Sequence, residues 1–126
     1  MKVLSIISTP WRATLEEQDD TIIWLMHAIA DVGAEVDVIL YGDAAGYGAK
    51  GLDARGLTFG QTSQSNPPDI NRDLINFLKR GRKVFICEKS LSHLGIHKDS
   101  VLPGLELVSK DKLVQLFDRY DKVWHW

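Results

Sequence analysis

Two stretches, Lys2-Val3-Leu4-Ser5-Ile6-Ile7-Ser8 and Glu35-Val36-Asp37-Val38-Ile39-Leu40-Tyr41, bracket a helical pattern, and that pairing decides the fold. The first is a short apolar run that ends at Thr9-Pro10, the form expected of a strand buried on both faces. Thr14 with Glu17 three residues later makes a capping box, and Glu16, Asp19 and Asp20 add negative charge where a helix dipole is positive. A helix is therefore expected to start there. Ile22, Leu25, Met26 and Ile29 fall at i, i+3, i+4 and i+7 as a core stripe, and Gly33 stands where a left-handed cap would end it. The opening thus reads β-α-β, with a helical crossover long enough to join parallel strands.

Outward from this unit, residues 42–60 carry six of the ten glycines, followed by the polar stretch Gln61 to Pro68. This reads as a long loop with at most one short helix, bordering either a site or an interface or simply the surface. Pro68 and Asp69 then open a helix with Ile70, Leu74, Phe77 and Leu78 on one face, closed by Lys79, Arg80 and Gly81. Lys83 to Cys87 is a third buried strand, and Glu88 to Leu94 a short helix stopped by Gly95. Leu105 to Val108 reads as a strand, Ser109 as the cap of a helix through Leu113, Leu116 and Phe117, and Val123 to Trp126 as a last strand. The alternation predicts a single-domain, three-layer α/β/α fold over residues 1–126, its mainly parallel sheet having about five strands.

Composition narrows the function. The chain has 126 residues, 15 Lys plus Arg against 17 Asp plus Glu, and a net charge of −2, without the basic excess of a nucleic-acid binder. Ser5, Ser8 and Pro10 interrupt the first apolar run before a signal-peptide core forms, and nothing approaches the ~20 apolar residues of a membrane span. One cysteine, Cys87, excludes an intrachain disulfide. A cytoplasmic protein that engages neither membrane nor nucleic acid is expected.

In open α/β sheets reactive groups gather at the carboxyl ends of the strands, and Cys87 ends its strand. A helix starting at Lys89 or Ser90 would bring unpaired amides beside the sulfur and favour the nucleophilic thiolate, with Lys89 as a local cation. The opposing reading is a small buried hydrophobe, the commonest fate of a free cysteine. Hydrolytic use of the thiol would need a histidine base, for which His93 and His97 are the candidates by proximity, but the spacing of six between Cys87 and His93 leaves the orientation of His93 open. His93 and His97 have the spacing of two zinc ligands on a helix. Gly95 between them, and Leu94 in place of the glutamate of zinc hydrolases, speak against a metal. Gly46, Gly48 and Gly51 match GxGxxG, but no helical pattern follows, so no nucleotide or other cofactor is expected. Trp11, just after the first strand, is placed to roof a site shared with Cys87. Trp24, His27 and Trp124-His125-Trp126 exceed what one small core needs and suggest a subunit interface.

The run Gly81 to Ile96, with Cys87 and Gly95 inside it, and then Val101-Leu102-Pro103-Gly104-Leu105-Glu106-Leu107-Val108, resembles the DsrE/DsrF-like family of sulfur-relay proteins. The likeness extends over essentially the whole chain and rests on hydrophobic pattern together with Cys87, Gly95 and Pro103-Gly104. It implies a sulfur carrier whose cysteine, here Cys87, accepts sulfane sulfur as a persulfide from a donor, often a TusA-like protein, and hands it on. It also implies a homo-oligomer, a trimer or hexamer, or a heteromeric assembly. Some members carry a second nearby cysteine where this chain has Ser90 and Ser92, so exchange between two cysteines of one chain is impossible. The alternative is an oligomeric binding or assembly subunit of the same fold with an inert cysteine.

Overall fold

The structure, a computed structural model, describes residues 1–10 and 22–126. The expected capping box at Thr14 and Glu17, its acidic neighbours and Trp11 lie outside the described residues. Strand β1 (Lys2–Ile7), helix α1 (Ile22–Asp31) and strand β2 (Glu35–Leu40) form the opening unit, with β1 and β2 parallel in the register Lys2 to Glu35. Gly33 takes φ +98° directly after α1, the left-handed turn its position calls for. The core stripe of α1 is rotated from the expected one. Ile22, Ile23, Met26 and Ala30 are buried, while Leu25 and Ile29 are only partly covered at its margin.

Helix α2 (Ile70–Lys79) starts where Asp69 accepts a hydrogen bond from the Arg72 amide at 3.0 Å, and it buries Leu74 and Phe77. Strand β5 (Val84–Cys87) is buried along its length, helix α3 (Glu88–His93) follows without a break, and Gly95 at φ +70° ends that segment. Strand β6 (Glu106–Val108), helix α4 (Leu113–Phe117) and strand β7 (Lys122–His125) complete the chain. Ser109 precedes a 3₁₀ turn at Lys110–Lys112 rather than α4 itself, and its side chain makes no capping bond. The five-stranded sheet has the order β6-β5-β2-β1-β7 with every pairing parallel.

Alternation along the strands divides the interior in two. Val3, Ile7, Val36, Val38, Leu40, Val84 and Ile86 pack with α1 and α2 on one face. Leu4, Ile39, Phe85, Cys87 and Val108 pack with Leu113 and Leu116 of α4 on the other. The sheet is therefore flanked by helices on both sides.

The glycine-rich stretch is more structured than a plain loop. Residues Gly42–Gly48 form a 3₁₀ helix that buries Ala44, Ala45 and Tyr47, and the short strands β3 (Thr58–Phe59) and β4 (Thr62–Ser63) pair as an exposed hairpin. Packing accounts for one glycine of the GxGxxG match, Gly48. A Cβ on Gly48 would lie 2.5 Å from Ile86 Cδ1 and 2.9 Å from Leu105 Cδ2, whereas one on Gly46 would meet its nearest neighbour, Leu94 Cδ1, at 3.8 Å. At the opposite end of the sheet, buried Asp37 accepts hydrogen bonds from the Lys83 amide (2.8 Å) and the Tyr120 hydroxyl (2.7 Å), while Lys2 Nζ lies 4.8 Å from the Tyr120 ring centre. Burial, and next the bond to Asp37, push the Tyr120 hydroxyl above the ordinary tyrosine range.

Gly48→Ala is expected to lower stability by about 1–3 kcal/mol through overpacking, and Gly46→Ala in the same turn to be neutral or slightly stabilising. Thermal unfolding of the two variants reads the difference, and equal effects would refute the close-approach account. Because the folded Tyr120 pKa is raised, its contribution is complete below about pH 10 and is lost as pH climbs from there toward the folded value. Denaturation at pH 8 and pH 11 should show wild type losing ground to Tyr120→Phe at the higher pH, and a constant gap would contradict this.

Candidate functional site

Because β2, β5 and β6 are parallel, the segments leaving their carboxyl ends meet at one edge of the sheet. There they surround a cavity of about 280 Å³. Tyr41, Gly42 and Asp43 come from the end of β2, Cys87 from the end of β5, Lys89, Ser90, His93 and Leu94 from α3 and its exit, and Lys110 from the turn after β6.

Cys87 is the residue from which α3 springs, with extended backbone angles (φ −74°, ψ 117°) and no capping bond from its side chain. The alternation of β5 turns it, with Phe85, toward the α4 side, where it pairs in register with Val108 and packs against Leu4, Ile39 and Leu113. It is 1% exposed, and it contributes to the cavity wall at the end of its strand. Ser90, 7% exposed, is one helical turn on and accepts a hydrogen bond from the Gly42 amide at 2.8 Å. That bond fastens the turn after β2 to the helix after Cys87 and holds two walls of the cavity together.

Lys89 and His93 are exposed and line the same cavity, so the structure brings four of the five expected site residues together, with Trp11 outside the described residues. Among the described residues no hydrogen bond links His93 to Cys87. His97 is not on the turn above His93, because α3 ends at His93 and Gly95 turns the chain away. Instead His97 accepts from the Asp99 amide at 3.2 Å and faces the Asp99 carboxylate at 3.3 Å. No group of three or more His, Cys, Asp or Glu side chains among the described residues is placed to hold a metal ion. Tyr41, Asp43 and Lys110 were missed by reading the neighbourhood of Cys87 alone. The strand-end rule applied to β2 and β6 as well as β5 points to all three.

An αβα sandwich with a parallel sheet and a cysteine at the end of a central strand defines a class, and comparison with known proteins gives it a name. The model of the DsrE/DsrF-like family matches residues 1–125, and the chain belongs to that family, which is consistent with sulfur relay in general. Among solved structures, the ychN protein from E. coli superposes with a TM-score of 0.66 at 20% identity, covering 100% of both chains. A protein of unknown function from Methanobacterium thermoautotrophicum, MTH1491, gives 0.62 at 12% identity, covering 98% of this chain and 97% of its own. No curated protein matches the chain. Among the described residues, no helix is long and apolar enough to cross a membrane.

Ser90→Ala should leave the Gly42 amide without its acceptor and lower stability by about 1–3 kcal/mol in chemical denaturation. A loss no larger than that of Ser92→Ala, an exposed position on the same helix, would show that the bond does not tie the walls.

Proposed function

We propose that the chain is a cytoplasmic sulfur carrier that accepts sulfane sulfur as a persulfide on Cys87 and passes it to a partner protein. The observation that carries this reading is the place of Cys87, the only thiol of the sequence, at a strand end and on the wall of a cavity, in a chain of the DsrE/DsrF-like family. The chemistry needs one thiolate, access and an electrophilic sulfur, and calls for neither metal nor histidine base. With a single cysteine, sulfur loaded on one chain leaves to another, which makes a donor or acceptor of the TusA-like kind the expected partner.

A trimer or hexamer of this chain is part of the proposal. Trp24 is 65% exposed on α1, and Leu57 and Phe59 stand exposed on or beside the β3–β4 hairpin, apolar side chains that neighbouring copies would cover. The oligomer would also offer several thiols to one donor.

The burial of Cys87 favours a second reading, a binding or assembly subunit in which the thiol is inert filler in the α4 cluster. One experiment separates the two. Native protein incubated with a persulfidated donor protein is analysed by intact mass and peptide mapping. The carrier reading predicts added sulfur masses at Cys87 that Cys87→Ser abolishes. An unmodified Cys87, under conditions that load an established carrier, would leave the assembly reading standing.

A further inference from the structure

We propose that Lys110, assisted by the Ser90 hydroxyl, binds the persulfide anion formed on Cys87, so that the cavity is completed by a residue remote in sequence from the cysteine. This rests on the carrier reading above. Val108 pairs in register with Cys87, and Lys110 follows it by two residues, so the sheet itself brings Lys110 to the cavity that Cys87 lines.

Two unspent groups point to an anion. Ser90 is 7% exposed, and its oxygen is occupied as an acceptor by the Gly42 amide. Its own proton has no acceptor among the described residues, and a buried hydroxyl donor on a cavity wall calls for one from within. Lys110 has no carboxylate partner among the described residues, unlike Lys83, which lies 3.7 Å from Glu106. Lys89 adds a second cation on the wall against the single carboxylate of Asp43, so positive charge prevails there.

The step balances without an added oxidant or reductant. The Cys87 thiolate attacks the outer sulfur of R–S–SH, a new S–S bond forms, the donor S–S bond breaks, and R–S⁻ leaves. Cys87 sulfur is oxidised to the persulfide level as the donor is reduced to its thiolate. Loss of the remaining proton to solvent gives Cys87–S–S⁻, whose terminal sulfur takes the Ser90 proton as a hydrogen bond and the Lys110 ammonium as counter-ion.

The test uses the full chain and inorganic polysulfide as the sulfur probe, with the rate of mass gain at Cys87 followed between about 0.02 M and about 0.5 M salt. Lys110→Met is expected to load about fivefold more slowly than wild type at low salt, the upper range for one exposed charge, and to lose most of the salt dependence. Lys110→Arg should restore both, and Lys112→Met, a charge loss off the cavity wall, should behave as wild type. Since Lys110 is exposed, its loss should leave thermal unfolding unchanged. If wild type loads and Lys110→Met matches it in rate and salt dependence, this inference fails and the carrier reading survives. If wild type does not load, both fail.

Discussion

Parallel pairing of β2 with β1 on one side and β5 on the other is the constraint from which the rest follows. A strand paired on both edges spends its backbone groups on its neighbours, and its side chains must then be covered on both faces. Helices α1 and α2 cover one face, and the five-residue α4 with its preceding turn covers part of the other. Since the strands run the same way, their exits gather at one edge, and the turn after β2, the helix after β5 and the turn after β6 share one cavity. The site is thus a consequence of how the core is buried and needs no separate scaffold.

Register decides what Cys87 can do. Val84 and Ile86 face the α1 and α2 side, Phe85 and Cys87 the α4 side, and a slip of one residue would exchange them. On its actual side the cysteine lies in the apolar cluster of Leu4, Ile39, Phe85 and Leu113, and it contributes to the cavity wall. The Ser90 to Gly42 bond ties two walls of that cavity together.

What could be read from the sequence was local. The apolar runs of β1, β2 and β5, the Asp69 cap and the turns at Gly33 and Gly95 each depend on neighbours a few residues away, and the structure shows them where expected. Family membership and the sheet architecture were legible for the same reason, since the pattern repeats along nearly the whole chain. Lys110 was not legible from the cysteine segment, because its place depends on the pairing of Cys87 with Val108. The sequence marked Gly48 only as one of several loop glycines, and the approach of Ile86 and Leu105 supplies its reason. The β3–β4 hairpin has two residues per strand and no buried face, too little pattern to announce itself.

Carriage of sulfur on Cys87, as proposed, requires that a residue only 1% exposed be reached in the folded protein through the cavity beside it. The direct measurement is the rate of Cys87 alkylation by a small neutral reagent at neutral pH, in the native chain and in the chain unfolded by denaturant. A sulfur carrier should show a native rate within about tenfold of the unfolded one, insensitive to mutations that change only global stability. A native rate that follows the global unfolding equilibrium, falling whenever the fold is stabilised, would show that the thiol reacts only when the protein opens and would overturn the carrier reading.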